Sequence, residues 1–95
     1  MATPSPASLL PALKIDLGIT ANAYDGRLQD QLAAAIQEIA AMGATLTDDA
    51  RDRNLILMYA AWRWRCRVTQ APMGRMLQLA LHNRLFGEKA LEAET

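Results

Sequence analysis

Between Leu55 and Val68 the apolar residues recur on two opposite sides of a helix. Leu55, Met58, Tyr59, Trp62 and Cys66 make one stripe. Leu57, Ala61, Trp64 and Val68 make the other, at spacing i, i+4, i+7, i+11. A helix apolar on two sides has to be covered on two sides. Either it is the central helix of its own chain, or another subunit covers one of its stripes. With 95 residues the chain is a single domain, too short for a barrel or a doubly wound sheet. Its 52% hydrophobic content argues against disorder. Eighteen Ala and fourteen Leu stand against twelve Val, Ile and Thr together, so helix formers dominate. The expected fold is all-α: a compact bundle of about four helices, one short at the N-terminus and three longer. A core of this size leaves a monomer marginal, which oligomerisation commonly remedies.

Three units follow along the chain: residues 1–7 as a flexible N-terminal arm, 8–87 as one helical domain, and 88–95 as a polar tail that extends the last helix or frays. The first helix is expected to start with Ser8 as N-cap, carry Pro11 in its first turn and stop at Gly18. Leu9, Leu10, Leu13 and Leu17 form its apolar stripe. After a connection at 19–23, Asn22 and Asp25 resemble a capping pair for a helix reaching Met42, with Gly43 as its stop. Tyr24, Leu28, Leu32, Ala35, Ile36, Ile39 and Met42 share one face of it. A second connection, 44–46, precedes Thr47 as N-cap, with Asp48 and Asp49 at the positive end of the third helix. That helix runs to about Val68. The last starts at Pro72 and ends at Phe86, with Gly87 as its stop. Met73, Met76, Leu77, Ala80 and Leu81 make its core face, while Leu79 and Phe86 lie on the far side beside Arg75 and His82. Arg84 falls inside the core face, where it has to snorkel, cap the helix end or pair with an acid on a neighbour.

Catalytic residue types are present but not in catalytic patterns. His82 is the only histidine and Cys66 the only cysteine, so neither a disulfide within the chain nor a zinc site is expected. The glycines sit singly at 18, 26, 43, 74 and 87, which is no phosphate cradle. Asp48 and Asp49 suit a helix start, not an acid–base pair. No enzyme activity, cofactor or metal is expected. No apolar run approaches a membrane span, and Met1–Pro6 lacks the pattern of a signal peptide, so the expectation is a soluble intracellular protein with no membrane partner. Arg51, Arg53, Arg63, Arg65 and Arg67 interleave with Trp62 and Trp64, as in some nucleic-acid binders. On a helix, however, Arg65 lies across from Arg63 and Arg67, and the two tryptophans fall on opposite stripes. Trp in the core with Arg on the flanks is the simpler reading.

Leu13-Lys14-Ile15-Asp16-Leu17-Gly18-Ile19-Thr20, followed by Tyr24-Asp25 and Leu28, resembles the opening of small phage and prophage head–tail connector proteins, also called adaptor or head-completion proteins. In that family a short helix ending in LGI leads to a long helix opening on YD-x-x-L. A Tyr- and Arg-containing helix follows, here around Leu57-Met58-Tyr59-Ala60-Ala61-Trp62-Arg63-Trp64-Arg65. The closing helix comes after a proline, here Pro72 to Phe86. The resemblance spans roughly residues 9–87 and rests on the order and spacing of these pieces. It implies a structural virion protein, without catalysis or cofactor, that forms a homo-oligomeric ring, commonly of twelve subunits, beneath the portal protein. Such a ring extends the DNA channel, through which DNA passes without sequence-specific binding. It also offers a docking surface for the next adaptor, stopper or tail protein. The expected locations are the head–tail interface of the virion and, during assembly, the host cytoplasm.

A ring joins one face of a subunit to a different face of the next. The surplus apolar stripes nominate Trp64, Val68, Leu79 and Phe86 as interface packing, with Arg63 and Arg67 facing acidic neighbours. The alternatives are a small helical DNA-binding or regulatory module and a non-viral helical interaction module. Ten basic and ten acidic residues cancel, which argues against a general nucleic-acid binder. The distribution is uneven. Residues 1–50 hold two basic and six acidic side chains, and residues 51–95 hold eight and four, so an acidic half is joined to a basic half. These halves complement each other either between subunits or within one.

Overall fold

The computed structural model describes the backbone of residues 3–69 and 72–94, and the side chains of 3–66 and 72–87. Four α-helices follow one another: α1 Pro6–Leu17, α2 Asp25–Ala41, α3 Ala50–Thr69 and α4 Arg75–Glu94. There is no strand among the described residues.

Helix α1 begins earlier than expected. Ser5, not Ser8, is the N-cap: it is extended (φ −84°, ψ 148°) and its Oγ accepts the Ser8 N–H at 3.2 Å. Pro6 then takes the first helical position, where its missing N–H costs nothing. Residues 3–7 of the expected arm therefore enter the fold. Pro4 is buried, and the Thr3 hydroxyl donates to the Leu46 carbonyl at 3.4 Å. At the other end Gly18 turns left-handed (φ 70°). Its N–H reaches the Ile15 carbonyl at 3.2 Å and the Ile19 N–H reaches that of Lys14 at 2.9 Å, a Schellman-type stop.

The expected capping pair at the start of α2 does not form. Asn22 accepts a hydrogen bond from Lys14 Nζ instead (2.8 Å), and α2 starts at Asp25, with Tyr24 supplying the cap carbonyl and no side-chain cap. The stop beside Gly43 (φ 116°) lies where the sequence puts it. Thr47 is likewise not the N-cap of α3. Asp49 takes that place, its carbonyl accepting from Arg53 N–H at 3.0 Å and its Oδ1 from Asp52 N–H at 2.8 Å. α4 starts at Arg75, three residues after Pro72, and runs past Gly87 to Glu94. An α-helical glycine costs only about 1 kcal/mol relative to alanine, and Glu88, Lys89, Ala90 and Leu91 are good helix formers that carry the helix on.

The central-helix reading of α3 holds: it packs against α1, α2 and α4. Leu55 and Tyr59 from one stripe and Leu57 and Ala61 from the other are buried, with Ile56 and Ala60 between them. They meet Leu9 and Leu13 of α1, Leu28, Leu32, Ala35 and Ile39 of α2, and Leu77 and Leu81 of α4. The short connection between α2 and α3 also belongs to the core, through Ala44 and Leu46. Some expected core positions are open instead. Tyr24 and Met42, at the two ends of α2, are about half exposed, and Met76 is 73% exposed. The molecule measures 46 × 29 × 18 Å. With helices roughly 10 Å across, 18 Å is two layers, so an outer helix keeps an open side.

Candidate interaction surface

Two polar clusters fix the helices around α3. The first joins α3 to α2. Arg63 donates from Nε to Gln31 Oε1 at 3.0 Å and pairs through Nη1 with the Glu38 carboxylate, while the Tyr59 hydroxyl donates to Glu38 Oε1 at 3.1 Å. Burial raises the Tyr59 pKa above the ordinary phenol value. Its hydrogen bond to Glu38 and that residue's charge push the same way, against a smaller opposing effect of Arg63.

The second cluster joins α4 to the start of α3. Asp52 is only 2% exposed. Arg84 Nε donates to its Oδ1 at 2.8 Å, and the Thr47 N–H and hydroxyl donate to Oδ2 at 2.8 and 3.1 Å. Arg84 Nη2 also donates to the Thr45 carbonyl at 2.6 Å. Burial by itself would raise the Asp52 pKa. The hydrogen bonds from Arg84 and Thr47, with the guanidinium charge, outweigh burial and hold it below the ordinary carboxylate value. Arg84 thus sits in the apolar face of α4 because a carboxylate on the neighbouring helix receives it. Asp52 escaped the sequence reading because an acid in a first helical turn is ordinary. The signal available was Arg84 itself, an arginine on a core face in need of a partner.

The six nominated interface residues separate into three groups. Arg63 is engaged inside the chain, as above. Trp64 is half-buried and meets the Tyr24 ring edge-on, with centroids 5.8 Å apart and planes at 71°. It closes the start of α2 over α3. The side chains of Arg67 and Val68 lie outside the described residues. Leu79 and Phe86 stand outward on α4, 51% and 67% exposed. His82 stacks on Phe86 (6.2 Å, 26° between planes), and Met76 lies at the edge of the same face. At 100° per residue Arg75, Met76, Leu79, His82 and Phe86 occupy one side of α4, away from Leu77, Leu81 and Arg84. Leu79 and Phe86 are the exposed apolar members of this side, with Met76 at its edge and the polar Arg75 and His82 among them.

The basic cluster of α3 is dispersed. Arg53 pairs with Asp48 at 2.6 Å, Arg63 with Glu38, and Trp62 meets Tyr59 edge-on at 5.5 Å. Among the described residues no three His, Cys, Asp or Glu side chains gather to hold a metal ion, and no helix is long and apolar enough to cross a membrane. No family model, curated protein or solved structure matches this chain.

Proposed function

We propose that this chain is a structural subunit that assembles with copies of itself into a ring at the head–tail junction of a tailed phage or prophage. There it lies beneath the portal, lengthens the DNA channel and docks the next adaptor, stopper or tail protein. The observation that carries self-assembly is the outward side of α4, where Leu79, His82 and Phe86 line up with Met76 at its edge and stand exposed among the described residues. An exposed side of this kind suits a partner surface.

The connector assignment itself rests on the resemblance, and the local structure supplies a physical reason for its spacing. The Lys14 ammonium of the first motif pairs with Asp25 of the second at 2.9 Å and also reaches Asn22. Leu13 and Leu28 from the same two motifs are both fully buried. Gly18 makes the left-handed turn that lets the two segments meet. The basic third helix does not favour the DNA-binding alternative, because Arg53 and Arg63 already have carboxylate partners within the chain.

Deletion of the coding sequence from its phage, followed by electron microscopy of lysates, tests the assignment. Full heads and separate tails that fail to join, rescued by supplying the protein in trans, are the expected result. Normal joined virions would contradict it.

A further inference from the structure

α4 is attached along one row of side chains. Among the described residues its buried members are Leu77 and Leu81, and the half-buried Arg84 follows at the next turn. Spacings of i, i+4 and i+7 put all three on one line of the helix. The extensive contacts of α4 are with α3. α1, α2 and α3 are joined differently, since each packs on both of the others. Leu9, Leu13, Leu28, Leu32, Ile39 and Ile56, all fully buried, belong to those three helices. Leu77 and Leu81 keep 4% and 7% exposure. A cleft of about 230 Å³ also runs along the α3–α4 seam, between Arg51, Asn54 and Met58 of α3 and Ala80 and Asn83 of α4. Taking α4 away leaves the contacts among the other three helices in place.

We infer that α4 is a strap that lifts off as one unit while α1, α2 and α3 stay folded, and that the Arg84–Asp52 pair is its clasp. The clasp joins α4 to two places at once. Arg84 Nε donates to Asp52 at the start of α3 (2.8 Å), and Nη2 donates to the Thr45 carbonyl in the α2–α3 connection (2.6 Å). Elements with few buried contacts open at lower free energy than the whole fold. The helicity of α4 depends on its staying docked. Most helical stability in proteins comes from the packing of one face, and Gly87 weakens this helix on its own. Lifting therefore frees the backbone N–H groups of α4. It also uncovers the side of α3 that carries Asp52 and Leu55, both buried in the closed form. The opening takes place within one chain, so it goes beyond the proposed function and does not depend on self-association.

Hydrogen exchange of the full chain, read by mass spectrometry of its peptides under conditions where the rate reports the opening equilibrium, separates α4 from the other helices. The same exchange in Phe86→Ser removes any protection that association through the outward side of α4 adds. The α4 amides should exchange at least about 10-fold faster than the slowest amides of α2 and α3. Ile39→Val, at a fully buried position of α2, should speed those slowest amides about 5-fold. It should leave α4 unchanged, because lifting the strap breaks no contact of Ile39. Arg84→Met strands the Asp52 charge and should speed α4 exchange about 100-fold. In both the natural chain and Phe86→Ser, α4 amides as slow as the slowest of α2 would make the four helices one cooperative unit and overturn the strap. So would α4 amides that speed up in step with α2 in Ile39→Val. An α4 rate that Arg84→Met leaves within about two-fold overturns the clasp.

Discussion

Arg84 and Asp52 illustrate how much a single buried charge asks of its surroundings. Removing the arginine leaves Asp52 in the core with only Thr47 to receive its charge. Arg84→Met should therefore destabilise the fold by about 3 kcal/mol. Asp52→Asn added to Arg84→Met should recover part of that loss, because no charge is then stranded. Urea unfolding of the two variants measures the difference, and a double variant worse than the single would contradict it. The same pair sets an acid limit. The Asp52 pKa is lower folded than unfolded, so its contribution is present above the unfolded value and is lost as pH falls through the folded one. Thermal stability should decline below about pH 4, and decline less steeply in Asp52→Asn. Equal slopes would contradict this role. Tyr59 works at the opposite end of the scale. Its raised pKa means that stability is full below the unfolded phenol value and falls as pH rises through the folded one.

Among the helices, the sequence was most legible where periodicity and glycine act together. The opposing stripes of α3 announced a central helix, and Gly18 and Gly43 marked two ends correctly. N-termini were less legible, because Ser5, Ser8, Thr47 and Asp49 are all good caps by type. Tertiary bonds decide among them: Thr47 is claimed by Asp52, which leaves Asp49 to cap α3. Gly87 misled as a stop because it carries no left-handed turn. Of the nominated interface, Leu79 and Phe86 were readable as outward from their phase on α4. Trp64 was not, since its partner Tyr24 comes from a distant segment. Gly18→Ala should cost about 1 kcal/mol. No atom crowds the new methyl group, so the left-handed backbone alone sets the penalty. Leu32→Ala, at a fully buried position of α2, should cost about 3 kcal/mol. Thermal or denaturant unfolding reads both, and a reversed order would contradict this account of the helices.

At the scale of the whole molecule, two layers of helix bury the inward residues of α3, Leu55 to Leu57 and Tyr59 to Ala61, and leave Leu79 and Phe86 of α4 exposed. The acidic and basic halves are partly paired inside the chain, through Arg63–Glu38 and Arg53–Asp48. Stability and assembly should therefore separate by position. Phe86→Ser, at a residue 67% exposed, should change folding stability by less than about 0.5 kcal/mol while weakening self-association. Sedimentation velocity over a range of concentrations, for the natural chain and for Phe86→Ser, tests the central claim most directly. Species larger than a dimer in the natural chain, shifted towards a 10.4 kDa monomer in the variant with helicity retained, are the predicted result. A natural chain that sediments as a monomer at every concentration, or assembly that the substitution leaves unchanged, would contradict it.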